Sequence, residues 1–516
     1  MKKVLSLLLT IVLLLGLLSG CGDTQPKETE SATFDTFAVG YGQADISTDL
    51  PLQLYGYAAG GERLSKNIID PIYATCAAFT DPEGTTVLML TIDLCQTFKV
   101  NNEVRNLISE ATGVPVSNVM VTASHTHSAP GQDGDADPNI RSYNEMYTTQ
   151  CVKAATDAMA DRKPAKMELT FTRPQNMNFN RHYVMADGSY LGVGVGAYKQ
   201  DEIYSHISAA DNMLQMVKFT REGGKDVVMI NWQGHYYGTK EVDYYAISAD
   251  YPGVLRDEVN KALDCYSLFV LGPSGNVNTT TYIAAERKFA NFMEYGKALA
   301  AFAVSAAGQF QPAETGKIVL VENNHMFDGG SVTVPLYAFG FGDFGCVLAP
   351  FEVFSSIGVA VKNQSKFPYT FFATCANGNN KYLPDEFAFT YKSYEAESCT
   401  LYPKGTAEAL QAQLSAMIDD VFTQLGGTEK PKAEGYVNQG FEPVSDGVEY
   451  MNPTPGDTSK LVQLENGHLQ VSLVDMGSMK PVTRMILDQA TAETVMQFET
   501  GKLLFNDQNM IVGIAP

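Results

Sequence analysis

The feature that most constrains this chain is an apolar run that ends in two histidines, one residue apart, and then in a Pro-Gly break. It reads Val119-Met120-Val121-Thr122-Ala123-Ser124-His125-Thr126-His127-Ser128-Ala129-Pro130-Gly131. Side chains alternate along an extended chain, so His125 and His127 are predicted to project to the same side. The break marks the carboxyl end of the strand, where α/β folds commonly place functional residues. The alternative is one satisfied core histidine and one exposed histidine.

The segments around this stretch predict a βαβ unit. A continuous apolar run over 86–92 indicates a buried strand. Helices are predicted over 102–111 and 143–159, before and after the histidine strand. The alternation of strand and helix predicts an α/β fold with a layered mixed sheet and a ligand-bearing loop at one sheet edge.

The amino terminus has the pattern of an export signal. Lys2 and Lys3 precede an unbroken apolar run over 4–18, which is shorter than the roughly 20 residues that a membrane-spanning helix needs. Leu18-Ser19-Gly20-Cys21 resembles the lipobox of bacterial lipoproteins. That resemblance implies a signal peptide over 1–20 and lipidation of Cys21. The polar stretch 21–35 is interpreted as a flexible tether, so the protein is expected at the bacterial cell surface, lipid-anchored and outside the cytoplasm.

Charge and cysteine content exclude some classes of protein. A formal charge of -22 is unsuited to nucleic acid, whose phosphates demand a basic surface. With 45% hydrophobic residues, the chain beyond the tether can bury a large core. The remaining cysteines form no Cys-x-x-Cys pair and favour buried thiols over a disulfide framework: Cys76, Cys95, Cys151, Cys265, Cys346, Cys375 and Cys399.

Four later sites are candidates to join His125. An apolar strand over 227–232 is followed by His235, a second histidine at a strand end in a chain with seven histidines. Glu352 follows the run that begins at Gly345, although a surface glutamate fits the same pattern. Arg181 follows Asn180 and is either a fixed guanidinium near a site or a solvated charge. The stretch 377–402 is rich in tyrosines, a density that usually means packing: Tyr382, Tyr391, Tyr394 and Tyr402.

Together these motifs resemble one family, the neutral (alkaline, non-lysosomal) ceramidases, which are zinc-dependent amidases that hydrolyse the N-acyl bond of ceramide. The resemblance extends over about 39–425 and rests on seven pieces in order. They are Gly42-Gln43-Ala44-Asp45-Ile46 with Gly56-Tyr57-Ala58, the 124–131 stretch close to Thr-His-Thr-His-Ser-Gly-Pro-Gly, Asn180-Arg181, His235 with Ser248-Ala249-Asp250, Pro350-Phe351-Glu352, Tyr382-Leu383-Pro384, and Tyr394-Glu395-Ala396-Glu397-Ser398-Cys399-Thr400-Leu401-Tyr402.

The resemblance implies a Zn2+ ion held by His125, His235, Glu352 and Tyr382. Imidazole and carboxylate are ordinary zinc ligands, and catalytic zinc sites keep a position for water. The resemblance also implies that three side chains surround the reacting carbonyl, namely His127, Arg181 and Tyr391. It implies that two more, Asn278 and Tyr394, contact the substrate. The implied substrate is an N-acyl lipid or another amide.

The chain departs from the family pattern at two places. Gly275-Asn276-Val277-Asn278-Thr279 stands where the family has Gly-Asp-Val-Ser-Pro, so Asn278 replaces a serine proposed to take part in catalysis. Either the zinc site suffices for turnover, or the activity is lost or altered. Gly234-His235-Tyr236-Tyr237 also lacks the small residues of the family at that position, which bears on the shape of the pocket.

The last part of the sequence, over 406–516, indicates where the catalytic domain stops and that a small appendage follows it. Apolar residues three to four apart indicate a helix over 406–425, followed by Gly426-Gly427. The catalytic domain is therefore assigned to 36–427. The composition of 428–457 is that of a linker, and Asn466-Gly467 is a hairpin signal between two short strands. The region 428–516 is predicted to be a linker and a small β-rich appendage, too short for the immunoglobulin-like domain of full-length family members.

Three classes of function remain open on the sequence. The first is a zinc amidase of the ceramidase type. The second is a surface lipoprotein of the same fold that binds a lipid or sugar without turnover, which Asn278 favours. The third is a structural envelope protein in which the histidines are incidental. Zinc content and turnover of an amide distinguish the three.

Overall fold

A computed structural model describes residues 34–57, 61–134, 136–185, 189–192, 197–327, 333–436, 447–463, 469–470, 472–482, 485–486, 489–505 and 511–515. The predicted signal peptide, Cys21 and most of the predicted tether lie outside these residues. The Asn466-Gly467 turn also lies outside them.

The largest sheet, called the first sheet, has nine strands and carries the histidine-bearing strand at one end. Parallel and antiparallel pairs both occur in it, so the predicted mixed sheet is confirmed. In spatial order the strands are Cys265–Leu271, Asp226–Trp232, Leu214–Arg221, Lys163–Thr172, Ala38–Asp45, Tyr73–Thr80, Thr86–Ile92 and Val119–Ala123, with Gln311–Ala313 paired to Lys163–Thr172.

The predicted βαβ unit is present. Helix Val100–Thr112 connects strands Thr86–Ile92 and Val119–Ala123, which pair in parallel. The helix ends at Gly113, whose φ of 74° lies in the left-handed region that favours glycine. Within the described residues, the other α-helices are Pro138–Ala160, Asp250–Leu263, Phe292–Ala306, Ser355–Gln364, Glu386–Thr390, Thr406–Gln424 and Gln489–Gln497.

A second sheet of four strands packs against the first. Its order is Val319–His325, Val334–Phe341, Phe344–Leu348 and Tyr369–Ala373. Short strands form smaller sheets outside these two. Ile203–His206, Tyr183–Met185 and Tyr190–Leu191 form a three-stranded sheet. Two-stranded sheets are formed by Ala246–Ile247 with Asn67–Ile68, by Val277–Asn278 with Phe179–Asn180, and by Glu352–Val353 with Tyr382–Leu383.

The two sheets are stacked face to face between outer helices. Strand Thr86–Ile92 is buried along its whole length, because alternate side chains enter different cores. Leu88 and Leu90 join a core with the helices on the outer face, whereas Val87 and Met89 join the core between the sheets. A third core lies between the second sheet and helices Ser355–Gln364 and Thr406–Gln424. The order of layers is therefore helix, sheet, sheet, helix.

Phenylalanines fill the space between the sheets. Phe37 and Phe79 of the amino-terminal part lie 4.7 and 5.4 Å, between ring centroids, from Phe341 of the second sheet. All three are at most 2% exposed. Burying each such ring contributes about 1.5–3 kcal/mol, so this aromatic cluster is a main source of adhesion between the two sheets.

The stretch assigned to a linker from its composition is more structured than that prediction. Val448–Met451 within it is a strand that pairs with Thr500–Phe505 and Leu473–Asp475. Tyr436 is buried, accepts a hydrogen bond from Thr370 N and donates one to Gln215 Oε1. Composition did not predict either feature, because it averages the proline, glycine and charged residues of the whole segment. The packing depends on one aromatic ring and one short strand within it.

The carboxyl-terminal strands form an eight-stranded sheet with its own small core. Val462–Gln463 and Leu469–Gln470 pair antiparallel, as expected of strands on either side of Asn466-Gly467. In spatial order the strands are Val462–Gln463, Leu469–Gln470, Met485–Ile486, Ile511–Ala515, Thr500–Phe505, Val448–Met451, Leu473–Asp475 and Pro481–Val482.

The described cysteines are free thiols, six of them buried and Cys399 partly buried, as the sequence predicted. Over the described ranges, no helix combines the length and the hydropathy that crossing a membrane requires.

We predict that Gly42→Ala lowers the free energy of unfolding by about 1–3 kcal/mol, as overpacking does. Gly42 lies on strand Ala38–Asp45, and a Cβ there would sit 2.1 Å from the carbonyl oxygen of Ala154 on helix Pro138–Ala160. The measurement is urea unfolding. Gly316→Ala is the matched control, because nothing lies within 4 Å of its added Cβ. Equal stability of the two variants would contradict this account of the helix–sheet contact.

Candidate metal centre

His125 reaches the site through a turn. The strand ends at Ala123, and His125 has a φ of 66°, in the left-handed region. Its backbone N–H donates to the carbonyl oxygen of Leu94, beyond the neighbouring parallel strand. The prediction that His125 and His127 share a side because they alternate on an extended strand is therefore wrong in its cause. The turn nevertheless brings both rings to one place, with their Nε2 atoms 3.4 Å apart.

His235 comes to the same place from strand Asp226–Trp232. The strand is paired in parallel with Cys265–Leu271, and the chain after it is held by a hydrogen bond from His235 N to the carbonyl oxygen of Val277, 2.9 Å away. Both histidine-bearing segments thus follow the carboxyl ends of strands of the first sheet, as the sequence predicted.

Glu352 and Tyr382 are delivered as a pair. Glu352–Val353 and Tyr382–Leu383 are short parallel strands in which Glu352 lies opposite Tyr382, so the two side chains share a face. Glu352 Oε1 accepts a hydrogen bond from Gln96 Nε2 at 3.0 Å. Glu352 Oε2 is buried, and over the described residues it has no hydrogen-bond partner.

The side chains of His125, His235 and Glu352 converge on one point. The two Nε2 atoms lie 3.0 Å apart, and Glu352 Oε2 lies 3.4 Å from His125 Nε2 and 3.6 Å from His235 Nε2. Their candidate ligand atoms all lie within 4.8 Å of one another, and all three residues are buried. A second cluster of this kind contains Cys95, His125 and His127.

Backbone carbonyls fix the orientation of both rings. His125 Nδ1 lies 2.7 Å from the carbonyl oxygen of Cys95, and His235 Nδ1 lies 3.0 Å from that of Ser274. Because a carbonyl only accepts, each Nδ1 carries a proton, so Nε2 is the nitrogen that faces the other ring and offers a lone pair whenever its ring is neutral. Two lone pairs and an unpartnered carboxylate oxygen form a donor set that fits a divalent cation such as zinc.

The charges around the cluster perturb its pKa values in opposite directions. Burial lowers the pKa of His125, but Cys95 and Glu352 outweigh it and the pKa is raised well above its usual value. Burial, Arg181 and His125 hold the pKa of His235 well below its usual range. Burial raises the pKa of Glu352, and His125 more than offsets this, so that the pKa is lowered. The carboxylate is therefore charged, and its field attracts a cation, whether a proton or a metal ion.

Tyr382 and Arg181 complete this side of the centre. The Tyr382 hydroxyl and Arg181 Nη1 each lie 3.3 Å from His235 Nε2. Burial raises the pKa of Tyr382 well above its usual value, so the phenol keeps its proton. A bound cation would reverse that preference. The guanidinium lies over the Tyr382 ring, 5.4 Å from its centroid.

The ring of His127 packs between aromatic side chains. Its ring stacks on Tyr236, with centroids 3.6 Å apart, and meets the edge of Tyr57. Burial, His125 and Arg63 lower the pKa of His127 well below its usual range, so the ring is neutral. Gly56 makes room for it, because a Cβ there would lie 2.2 Å from His127 Cγ. Tyr236 occupies the position where the sequence departs from the small residues of the family.

A second network, which sequence reasoning missed, holds Arg181. Glu395 Oε1 accepts from Arg181 Nε at 2.9 Å and from Nη2 at 2.6 Å, and Glu395 Oε2 lies 2.9 Å from His182 Nε2. His182 Nδ1 in turn lies 2.5 Å from the Tyr391 hydroxyl. His182 directly follows Arg181, and Glu395 was inside a motif used for the resemblance. No local spacing relates two residues that lie 213 positions apart.

The two residues expected to contact substrate lie outside the cluster. Asn278 is on the short strand Val277–Asn278, opposite Phe179. In the part of the chain that the structure describes, no hydrogen bond joins its side chain to the three metal-ligand candidates. Tyr394 is 38% exposed and lies beside Gly192, where an added Cβ would meet Tyr394 N at 3.3 Å. Neither position is that of a metal ligand.

The fold and the site together define a layered α/β protein with a buried His–His–Glu centre suited to a divalent cation. Comparison with solved structures agrees with the resemblance drawn from the sequence. The chain is similar to the neutral ceramidase from Pseudomonas aeruginosa, with 16% identity and a TM-score of 0.58 over 78% of this chain and 76% of that one. It is also similar to a ceramidase complexed with C2, with 15% identity and a TM-score of 0.60 over 86% of this chain and 85% of that one.

The expected fold is therefore confirmed: this chain has the fold of the neutral ceramidases. No protein-family model matches the sequence, and no curated protein matches it either. At this level of identity the similarity establishes the architecture.

We predict that Gly56→Ala displaces the His127 ring, because the added Cβ would overlap it. A crystal structure of the variant is the direct measurement, and the ring is expected to leave its stacking position on Tyr236. Gly61→Ala is the matched control. It has a φ of 62° against 114° for Gly56, so it shares the cost of a positive φ, but nothing lies within 4 Å of its Cβ. An unmoved His127 ring in Gly56→Ala would contradict the predicted steric role.

Proposed function

We propose that this protein is a zinc-dependent hydrolase that cleaves the N-acyl amide bond of ceramide or a related N-acyl lipid. The observation that carries the proposal is the convergence of His125 Nε2, His235 Nε2 and the unpartnered Glu352 Oε2. The fold, which is that of neutral ceramidases, supports the choice of substrate class.

The residues fit a zinc ion by their chemistry. His125, His235 and Glu352 would hold it through nitrogen and carboxylate oxygen, and Tyr382 would add its hydroxyl. When bound, zinc acts as a Lewis acid and lowers the pKa of water to about 7. Ligands contributed by four distant segments are typical of a site built inside a folded scaffold, in contrast to the closely spaced ligands of small structural zinc motifs.

Arg181 is suited to stabilising the negative charge that develops on the amide oxygen. Its Nη1 faces His235 Nε2, 3.3 Å away, while Nε and Nη2 are fixed by Glu395. The guanidinium is thus oriented before the reaction, which is the property that makes such a group effective. One N–H edge remains directed at the centre.

His127 is suited to moving a proton. Its Nε2 faces the cluster, 3.4 Å from His125 Nε2, and the ring is neutral because its pKa is lowered. A neutral imidazole accepts at Nε2 a proton of the water that attacks the amide carbon, and it passes that proton to the leaving amine as the C–O bond forms and the C–N bond breaks. Tyr391 is the third residue, with His127 and Arg181, that the resemblance implies near the reacting carbonyl. Its hydroxyl contacts His182, the residue that follows Arg181 in the chain.

Asn278 bears on a second candidate function. An amide in place of the family serine removes the hydroxyl at that position. In a zinc hydrolase of this kind, Asn278 would therefore contact the substrate and take no part in the reaction. If that serine is indispensable, the protein binds an N-acyl lipid or a sugar at this site without turnover. Stoichiometric binding with no product would select that alternative.

We predict that the purified protein contains about one zinc ion per chain, because His125, His235 and Glu352 converge on a single point. It is expected to release fatty acid from ceramide or another N-acyl amide in a chelator-sensitive way. His125→Ala should lose zinc and turnover together, measured by elemental analysis and by product release. His325→Ala, on strand Val319–His325 away from the cluster, is the matched control. Amidase activity retained in His125→Ala would refute the assignment, and absence of zinc would favour a structural role.

We also propose that the protein is exported and anchored to the membrane by lipid on Cys21, outside the cytoplasm. The support is the leader and its Leu18-Ser19-Gly20-Cys21 motif. An anchor of this kind would bring the site to insoluble N-acyl lipids.

The expected mature amino terminus is Cys21 with a lipid-sized mass addition, measured by mass spectrometry of the amino-terminal peptide. Cys21→Ser should leave the precursor unprocessed and without the lipid, whereas Cys399→Ser should be processed normally. A mature protein that begins at another residue without lipid would contradict the proposal.

A further inference from the structure

The strongest feature without an assigned role is a buried hydrogen-bond chain that begins at Tyr391 and ends at the metal centre. It runs from the Tyr391 hydroxyl to His182, from His182 to Glu395, and from Glu395 to Arg181. Arg181 then meets His235 Nε2 at 3.3 Å. His182 and Glu395 are both 0% exposed. Two residues singled out separately from the sequence, Arg181 and Tyr391, are therefore joined by two that were not.

Charge balance fixes the protonation of the chain. Arg181 and Glu395 form a buried ion pair with no net charge, and a charged His182 beside it would leave one buried positive charge uncompensated, which is costly. Glu395 only accepts, so the proton of a neutral His182 belongs on Nε2. Nδ1 then offers a lone pair to the Tyr391 hydroxyl. Burial raises the pKa of Tyr391 well above its usual value, so this hydroxyl keeps its proton and donates it.

Glu395 is ionised although it is buried. Burial raises the pKa of Glu395, but the contacts with His182 and Arg181 outweigh burial, and the pKa is strongly lowered. Glu395 is thus a permanent carboxylate that uses one oxygen for the guanidinium and the other for the imidazole. Its position at the start of a π-helical turn, Glu395–Cys399, places both oxygens inward; such turns are frequent at functional sites.

We propose that His182 is a positioning residue: it fixes Glu395, and through Glu395 it holds the Arg181 guanidinium in line with the metal centre while keeping the Tyr391 hydroxyl in place. The inference rests on the proposed function, in which Arg181 stabilises the developing oxyanion. A histidine carries a donor and an acceptor on separate edges of one rigid ring, so His182 contacts Glu395 and Tyr391 at once.

Two amide substitutions separate the two contacts. The amide nitrogen of glutamine can take the place of Nε2, so His182→Gln keeps a donor to Glu395. The amide of asparagine lies where Nδ1 does, and its carbonyl oxygen can accept from the Tyr391 hydroxyl, so His182→Asn keeps that contact and loses the contact with Glu395. Because misplacing a fixed group by about 1 Å can cost about 100-fold in rate, His182→Asn is expected to lower kcat about 100-fold. His182→Gln is expected to keep most of it.

The experiment measures kcat and KM on an N-acyl amide, zinc content and thermal unfolding for wild type and both variants. The expected result is a loss confined to kcat in His182→Asn, with unchanged zinc content and rescue in His182→Gln. Equal kcat in wild type and both variants would overturn the proposal. So would an equal loss in both variants that follows their thermal stability, because a merely structural role predicts that result.

A second measurement does not depend on turnover. Nitrogen-15 NMR of the histidine-labelled protein, with His182 assigned by comparison with His182→Gln, reports which ring nitrogen carries the proton. The expected state is a neutral ring protonated at Nε2. A ring protonated at Nδ1, or at both nitrogens, would overturn the proposed chain. If wild type shows no turnover, the proposed function fails, and the NMR result still decides the inference about His182.

Discussion

The site depends on one electrostatic constraint: two imidazole lone pairs and a carboxylate oxygen meet in a buried space. The Nε2 atoms of His125 and His235 are directed at each other because backbone carbonyls hold both Nδ1 atoms. Glu352 adds a negative charge at 3.4 and 3.6 Å. Such a group of acceptors is stable only around a cation, which is either a proton shared through His125 or a metal ion. The arrangement is therefore suited to holding a cation at the shared point.

The fold explains how segments so distant in the chain reach that point. Parallel strands place the segments before His125 and His235 on the same edge of the first sheet. The second sheet packs on the first through its phenylalanines, and the chain that leaves it supplies Glu352 and Tyr382 as opposite residues of one short parallel pair.

Much of this architecture was predictable from the sequence. Strand Thr86–Ile92 has the predicted bounds, and the helix after it is only slightly longer than predicted, since apolar periodicity and the glycine at its end are local signals. The three ligand candidates were identified from strand ends and from the resemblance. The turn at His125 was not predictable, because its φ of 66° is imposed by a contact with Leu94 that no local pattern encodes.

The parts that sequence reasoning missed share one physical cause. His182 and Glu395 are joined by a contact between residues 213 positions apart, which no local spacing encodes. Strand Val448–Met451 was hidden by the average composition of its segment. Patterns of one or two residues indicate elements and turns, whereas pairings across a fold require the fold itself. Residues that position other site residues through contacts across the fold are therefore the hardest to predict from the sequence.

The central claim is that a zinc ion occupies the point shared by His125, His235 and Glu352. The most direct measurement is anomalous X-ray diffraction at the zinc absorption edge, from crystals of the protein purified without a metal-affinity tag. The account predicts a single strong peak about 2.0–2.2 Å from both Nε2 atoms and the Glu352 carboxylate. A well-ordered site that gives no peak even after a zinc soak, or a peak elsewhere in the molecule, would contradict it.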